Sequence, residues 1–166
     1  MSKYTEIFNY LRQCPQLADL WSIGTAETDG AKVILPQGTS QKTSYKDFID
    51  SIGSYNCDII PNPSVYEDYQ INAYYYLDTQ SGKEPDECLN VLNIEDAQAI
   101  CDWIELQNDT GNLPKITNKQ VVSIEALPFN PQVRAADILN NRIAYFITVR
   151  IRYVNPAIQR SIYYEI

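Results

Sequence analysis

The stretch that decides the fold is RIAYFITVRIRYV, from Arg142 to Val154. Successive side chains of a strand point to opposite faces of a sheet, so the alternation predicts one long strand with two different faces. The apolar face holds Ile143, Tyr145, Ile147, Val149, Ile151 and Tyr153. The semi-polar, cationic face holds Arg142, Ala144, Phe146, Thr148, Arg150 and Arg152. We expect helices to cover the first face and another surface to meet the second.

A second strand is predicted at residues 119–127, with Val122, Ile124 and Ala126 on one face. Residues 130–141 then connect this strand to the long one, so the two form a hairpin with an extended tip. A loop of that length is usually functional in a compact domain. We therefore expect the tip to contact a partner through Arg134, Asp137, Ile138 and Leu139. On the second face of the long strand, the candidate contact residues are Phe146, Arg150 and Arg152.

Two amphipathic helices are predicted. The first covers residues 3–13, with Ser2 as its cap, Pro15 after its end, and an apolar stripe of Tyr4, Ile7, Phe8 and Leu11. The second covers residues 93–108, with Asn93 as its N-cap and acidic residues in its first turn. Its apolar face consists of Ala97, Ile100, Cys101 and Ile104.

The remaining β structure is predicted to be short and irregular. Strands are expected at residues 31–35, 45–49, 57–60 and 69–77, and a polar loop at residues 37–41. Helices and strands that each bury one face pack as layers around one core. The sequence therefore predicts one α+β domain over residues 1–166, an antiparallel sheet with helices packed on one face and a long C-terminal β-hairpin.

The composition excludes several classes of function. A net charge of −8 argues against a basic surface for nucleic acid, and the absence of histidine excludes histidine triads and histidine metal sites. The cysteines Cys14, Cys57, Cys88 and Cys101 form no C-x-x-C motif, which argues against a zinc site. The acidic residues suit solvated helix faces and caps better than an acid–base pair. We expect no enzyme activity, no metal and no cofactor.

The chain also shows no membrane signal, since no apolar run approaches the ~18–20 residues that span a bilayer. We therefore expect a protein of a reducing cytoplasm with free thiols. The thirteen tyrosines include the adjacent Tyr74-Tyr75-Tyr76 and Tyr163-Tyr164. Adjacent strand residues point both ways, so at least one tyrosine of each group should leave the core. Interface and simple exposure are equally good explanations for these tyrosines. The tyrosine-rich tail, residues 157–166, is expected to dock on something.

The order of these elements resembles the tail-terminator proteins of long-tailed bacteriophages, in the version found in prophages of Gram-positive bacteria and often labelled a minor capsid protein. The likeness is carried by residues 94–100 of the second helix, residues 121–125, and residues 142–153 of the long strand. The resemblance covers most of the chain as an arrangement, without one diagnostic motif. The resemblance implies no catalytic residues.

The resemblance implies a structural virion protein that forms a hexameric ring, caps the finished tail tube and offers a surface for head–tail joining. The implied partners are further copies of the chain, a tail tube protein and a head-completion protein, and the subunit can be a monomer before assembly. DNA would pass through without specific binding, which suits a negative charge. The protein would occupy the host cytoplasm during assembly and then the tail or neck of the virion.

Three alternatives remain open at this point. The chain could be another phage neck or head-completion protein, or a cytoplasmic α+β protein-binding adaptor unrelated to phage. It could also be an enzyme using carboxylates or a thiolate, which would need a cleft with Cys57, Cys88 or Cys101 exposed beside Lys or Arg.

Overall fold

The computed structural model describes residues 2–20, 31–42, 64–77, 89–137 and 139–154. The predicted strands at residues 45–49 and 57–60, the tail at residues 157–166 and Ile138 lie outside the described residues. The described part contains strands β1 (Lys32–Lys42), β2 (Ser64–Tyr76), β3 (Gln120–Asp137) and β4 (Arg142–Val154), and helices α1 (Lys3–Leu11) and α2 (Leu89–Thr110).

The strands form one sheet in the order β1-β2-β4-β3, and each neighbouring pair is antiparallel. Strand β4 lies inside the sheet, where Ile147 faces Ile71 of β2. Strand β3 pairs with β4 on the other side, so the C-terminal hairpin forms as predicted. The antiparallel α+β architecture is therefore confirmed.

The apolar face of β4 is the inner face of the sheet, and both helices pack on it. Ile147, Val149 and Ile151 share the main core with helix residues such as Ile7 and Ile104. The face assignment is therefore correct. Tyr145 and the half-buried Ile143 join a smaller cluster with Ala73, Tyr75 and Ala97.

Helix α1 begins as predicted, because the Ser2 hydroxyl accepts a hydrogen bond from the backbone N–H of Thr5 at 3.2 Å. Its buried stripe differs from the prediction: Tyr4 is exposed and Tyr10 is buried instead. The Tyr10 hydroxyl donates to the carbonyl oxygen of Asn112 at 2.7 Å, so this large side chain is buried with its polar end satisfied.

The predicted start of the second helix is wrong. Helix α2 begins at Leu89, so Asn93 lies inside the helix and is not its N-cap. The buried Asn93 amide instead donates to the carbonyl oxygen of Tyr76 at the end of β2, at 2.7 Å. This tertiary hydrogen bond explains why a residue that favours helix caps is placed in a helix interior. Asp96, expected in the first turn, lies in the second.

The predicted loop at residues 37–41 is also wrong, since these residues belong to β1. The register between β1 and β2 shifts between Pro36 and Ser40, and the ladder then resumes opposite Glu67. A proline followed by polar residues therefore produces an irregularity in the pairing of an edge strand and not a loop.

The predicted extended tip of the hairpin is also wrong, because β3 continues to Asp137 and most of the predicted loop belongs to this strand. The ladder is interrupted between Leu127 and Gln132 and then resumes opposite Phe146. Pro128 and Pro131 lie within this strand and are tolerated because β3 is an edge strand. Residues 139–141 form a short turn before β4.

Val122 is exposed, although it was predicted to share a face with Ile124 and Ala126. The register shifts between Val121 and Ser123, so Val122 is the extra residue of a bulge and leaves the inner face. Within the described ranges, neither helix is both long and apolar enough to cross a membrane.

Candidate interaction surface on the outer face of the sheet

The outer face of the sheet is the face turned away from α1 and α2. From β4 it presents Arg142, Ala144, Phe146, Thr148, Arg150 and Arg152, as the alternation predicts. Its two ends have different chemistry. Charged groups occupy the end near the C-terminus of β4, and an aromatic groove occupies the end near the hairpin turn.

At the charged end, Arg150 is already paired within the chain. Its Nε and Nη2 atoms donate to the two carboxylate oxygens of Asp68 at 2.8 and 3.0 Å. The guanidinium also lies 4.0 Å from the centre of the Tyr66 ring. The hydrogen bonds to Asp68 raise the pKa of Arg150 further above its ordinary value. This arginine therefore braces β2 against β4.

Arg152 also contacts a carboxylate and the Tyr66 ring, but at longer distances than Arg150. Its Nε atom lies 3.7 Å from a carboxylate oxygen of Glu125 on β3, and its guanidinium lies 5.1 Å from the centre of the Tyr66 ring. The face that the sequence marks as cationic therefore carries compensated charges. Phosphate groups require clustered, uncompensated cations, and Arg150 and Arg152, in the described part of this face, are both compensated.

At the hairpin end, the outer face forms an open groove of about 210 Å³. Ala135 of β3 and Ala144 of β4 lie opposite each other in the ladder. Tyr74 and Tyr76 of β2 lie opposite Ala144 and Arg142. Because alanine side chains are short, the surface is recessed at Ala135 and Ala144, and this recess is the groove. The lining consists of Tyr74, Tyr75, Tyr76, Ala135, Asp137, Arg142, Ile143 and Ala144.

Two charged residues form the rim of the groove. Arg142 donates to the Tyr76 hydroxyl at 3.1 Å, and its guanidinium lies 5.0 Å from the centre of the Tyr76 ring. Asp137 accepts hydrogen bonds from the backbone and side chain of Asn140, at 3.3 and 2.6 Å. These bonds hold the pKa of Asp137 below its ordinary value. They also order the turn that follows β3.

Beyond the rim, apolar side chains project into solvent. Leu139 in the turn is 95% exposed and Val133 on β3 is 56% exposed. Every side chain from residue 132 to residue 137 is exposed. Isolated exposed apolar residues are ordinary on protein surfaces. Val133 pairs with Tyr145 of the inner face, whereas Leu139 lies in the turn between the groove-lining Asp137 and Arg142. An exposed apolar side chain beside an apolar groove is typical of an interaction site.

Helix α2 covers only the first half of the free edge of β3. The Asn108 side chain accepts from the backbone N–H of Ile124, and the Glu105 carboxylate accepts from that of Ala126, both at 3.0 Å. These side chains block an edge that could otherwise pair with another chain. In the second half of β3, residues 132–137 are exposed.

The structure separates the predicted contact residues into two groups. Arg134, Asp137 and Leu139 lie exposed at the hairpin end. Arg150 and Arg152 lie at the other end and are paired, and the half-buried Phe146 lies between the two groups. The groove residues Tyr74 and Tyr76 were indicated only by the adjacent tyrosines, of which Tyr75 alone faces the core. The alternation placed Ala144 on the outer face, but nothing in the sequence indicated Ala135.

A second polar cluster surrounds Glu67 on the inner face. Its carboxylate accepts hydrogen bonds from Lys3 Nζ, from Tyr69 Oη at 2.7 Å and from Tyr153 Oη at 2.8 Å. Burial acts to raise the pKa of Glu67, but these hydrogen bonds outweigh it and leave the pKa below its ordinary value. Burial first, and the bond to Glu67 second, raise the pKa of both tyrosines. The cluster therefore ties α1 to the sheet through the ionised Glu67 carboxylate.

The described thiols are packing groups. Cys14 and Cys101 are completely buried, and burial raises the pKa of Cys101 to about 12. Burial also raises the pKa of Cys14. Neither thiol has the lowered pKa of a catalytic nucleophile. In the parts of the chain that the structure describes, no group of three acidic or cysteine side chains could hold a metal ion.

Comparison of the chain with protein-family models, with curated proteins and with solved structures finds no match in any of the three.

Proposed function

We propose that this chain is a structural virion protein that assembles as a ring on the tail tube of a long-tailed phage and forms the head–tail joining surface. The proposal rests on the resemblance in element order and on one observation of the surface. That observation is the hairpin end, where the apolar groove lies beside the exposed residues 132–137 and Leu139.

A ring requires contacts between different surfaces of neighbouring subunits. The hairpin end of one molecule has both an apolar recess, the groove, and an apolar projection, Leu139. A contact between different surfaces of two subunits needs both. The remaining outer face has its arginines neutralised by Asp68 and Glu125, and the chain carries a net charge of −8. A lumen built from such subunits would let DNA pass without holding it.

The proposed ring is hexameric, with the tail tube protein on one side and a head-completion protein on the other. Subunits would be made in the host cytoplasm and would then remain in the tail or neck of the virion. The proposal assigns no catalytic residue, cofactor or metal.

Two measurements test the proposal. In the source genome, the reading frame should lie between genes for head completion and for the tail tube. Native mass spectrometry of the purified protein at high concentration, with and without tail tubes, should then give a six-subunit species. A monomer or dimer under both conditions, together with unrelated neighbouring genes, would instead favour a cytoplasmic adaptor.

A further inference from the structure

We infer that the groove at the hairpin end receives Leu139 of a neighbouring copy of the same chain. The inference deepens the proposed function, on which it rests for the existence of contacts between copies. It identifies the contact surface and the side chain that fills it.

The groove has the size and the lining for an aliphatic side chain. Its volume is about 210 Å³, and Tyr74, Ala135 and Ala144 give it apolar walls. An apolar cavity of roughly 150 Å³ accommodates a molecule as large as benzene. A leucine side chain is smaller than benzene, so the groove has room for it and for the rearrangement that binding requires.

Leu139 is the apolar side chain most suited to fill it. It is 95% exposed, the most exposed of the large hydrophobic residues in the described ranges. It therefore makes almost no contact with its own groove, although the groove-lining residues Asp137 and Arg142 flank the turn that carries it. A second copy presents the same side chain on an equally projecting turn.

The surroundings favour a second copy over an unrelated ligand. Asp137 and Arg142 occupy the rim of the groove and stand beside Leu139 in each copy. When the turn of one copy enters the groove of the next, it therefore brings an acidic and a basic group to a rim that carries the same pair. Opposite charges at a rim fix the relative orientation more than they add affinity.

The test uses two variants that disable opposite halves of the contact. Leu139→Asp removes the projecting side chain at a fully exposed position. Ala135→Trp fills the groove from an exposed position on β3. Leu106→Asp is the matched control, because Leu106 is also an exposed leucine but lies on α2.

We expect wild type and the Leu106→Asp control to self-associate in analytical ultracentrifugation. Each of the other variants alone should associate roughly 10- to 100-fold more weakly, the range for the loss of one buried leucine contact. An equimolar mixture of Leu139→Asp and Ala135→Trp should form dimers, because the open groove of the first accepts Leu139 of the second. Dimers in the mixture would also prove that both variants are folded.

Each other outcome contradicts part of the account. If wild type stays monomeric at high concentration, if Leu139→Asp or Ala135→Trp assembles as wild type does, or if the mixture stays monomeric, the contact is wrong. A six-subunit species on tail tubes would still support the ring. If both variants keep their assembly but no longer bind tail tubes, the groove receives another protein and this inference fails. If wild type associates through Leu139 but stops at a dimer, the contact is right and the ring is wrong.

Discussion

The carboxylate of Glu105 on α2 accepts a hydrogen bond from the backbone N–H of Ala126 on β3 at 3.0 Å. Three residues further along the helix, Asn108 does the same for Ile124. Side chains of a helix thus protect an edge strand, because they accept hydrogen bonds from backbone N–H groups that could otherwise bond to another strand. Beyond this protected half, the exposed residues 132–137 of β3 lead to the groove and the turn.

Replacing Glu105 with alanine should lower the free energy of unfolding by about 1–3 kcal/mol, because the Ala126 N–H would lose its acceptor in a partly buried place. Urea denaturation measures the change. The variant should also aggregate faster on mild heating, since the edge becomes available for pairing.

Glu105→Gln is the conservative control for this prediction. Its amide oxygen can still accept from Ala126, so it should keep most of the stability. Asp109→Ala, an exposed change on the same helix, should alter the unfolding free energy by less than about 0.5 kcal/mol. A Glu105→Ala variant as stable and as soluble as Asp109→Ala would show that the edge is not protected in this way.

Glu67 should make stability depend on acidic pH. Its pKa is lowered in the folded protein, so its ionised form contributes stability that is complete above the ordinary glutamate pKa of about 4.3. That contribution is lost as the pH falls through the lower folded pKa. Glu67→Gln should therefore be less stable than wild type at neutral pH, by about 1–2 kcal/mol, and the difference should shrink in acid.

The measurement is the urea midpoint of both proteins from neutral pH down to pH values below the folded pKa. Glu95→Gln serves as the control, because Glu95 is exposed on α2. If the wild-type and Glu67→Gln midpoints stay equally far apart at every pH, the carboxylate is not the group that titrates.

Arg150 should stabilise the subunit and not the contact between subunits. The sequence predicted an interface role, but its two hydrogen bonds join β4 to Asp68 of β2. In a double-mutant cycle, Arg150→Ala and Asp68→Ala should show a coupling of about 1 kcal/mol in unfolding free energy. Self-association of Arg150→Ala should remain within error of wild type. Additive single changes, or a clear loss of association, would restore the interface role.

The buried thiols should react only when the chain unfolds. Burial raises the pKa of Cys101 to about 12, so an alkylating reagent at mildly alkaline pH finds almost no thiolate there. Peptide mapping after a timed pulse should show Cys14 and Cys101 unmodified in buffer and fully modified in urea. Rapid modification of Cys101 in the folded protein would contradict its placement in the core and would favour the thiolate enzyme among the alternatives.

The sequence predicted the parts of the fold in which the position of each residue depends only on whether its side chain is buried. Ile147, Val149 and Ile151 alternate because they face a core, and the helix residues Ile100 and Ile104 recur at helical spacing for the same reason. These patterns are local, so they can be read from one sequence.

The errors occurred where a distant partner changes the behaviour of a residue. Asn93 favours a helix cap in isolation, but the carbonyl oxygen of Tyr76 gives its amide a partner inside the helix. Pro128 and Pro131 favour a loop, but an edge strand tolerates them. The groove depends on the register that sets Ala135 opposite Ala144, and no local pattern of either residue encodes that pairing.

The most direct test of the central claim is electron microscopy of tail tubes incubated with this protein, using the tube protein encoded nearest to it. We predict a ring of density at one end of each tube and tubes that stop growing once the ring is bound. Leu139→Asp should leave the tube ends bare. Tubes that keep growing without an end ring, while the wild-type protein stays free in solution, would contradict the proposed function.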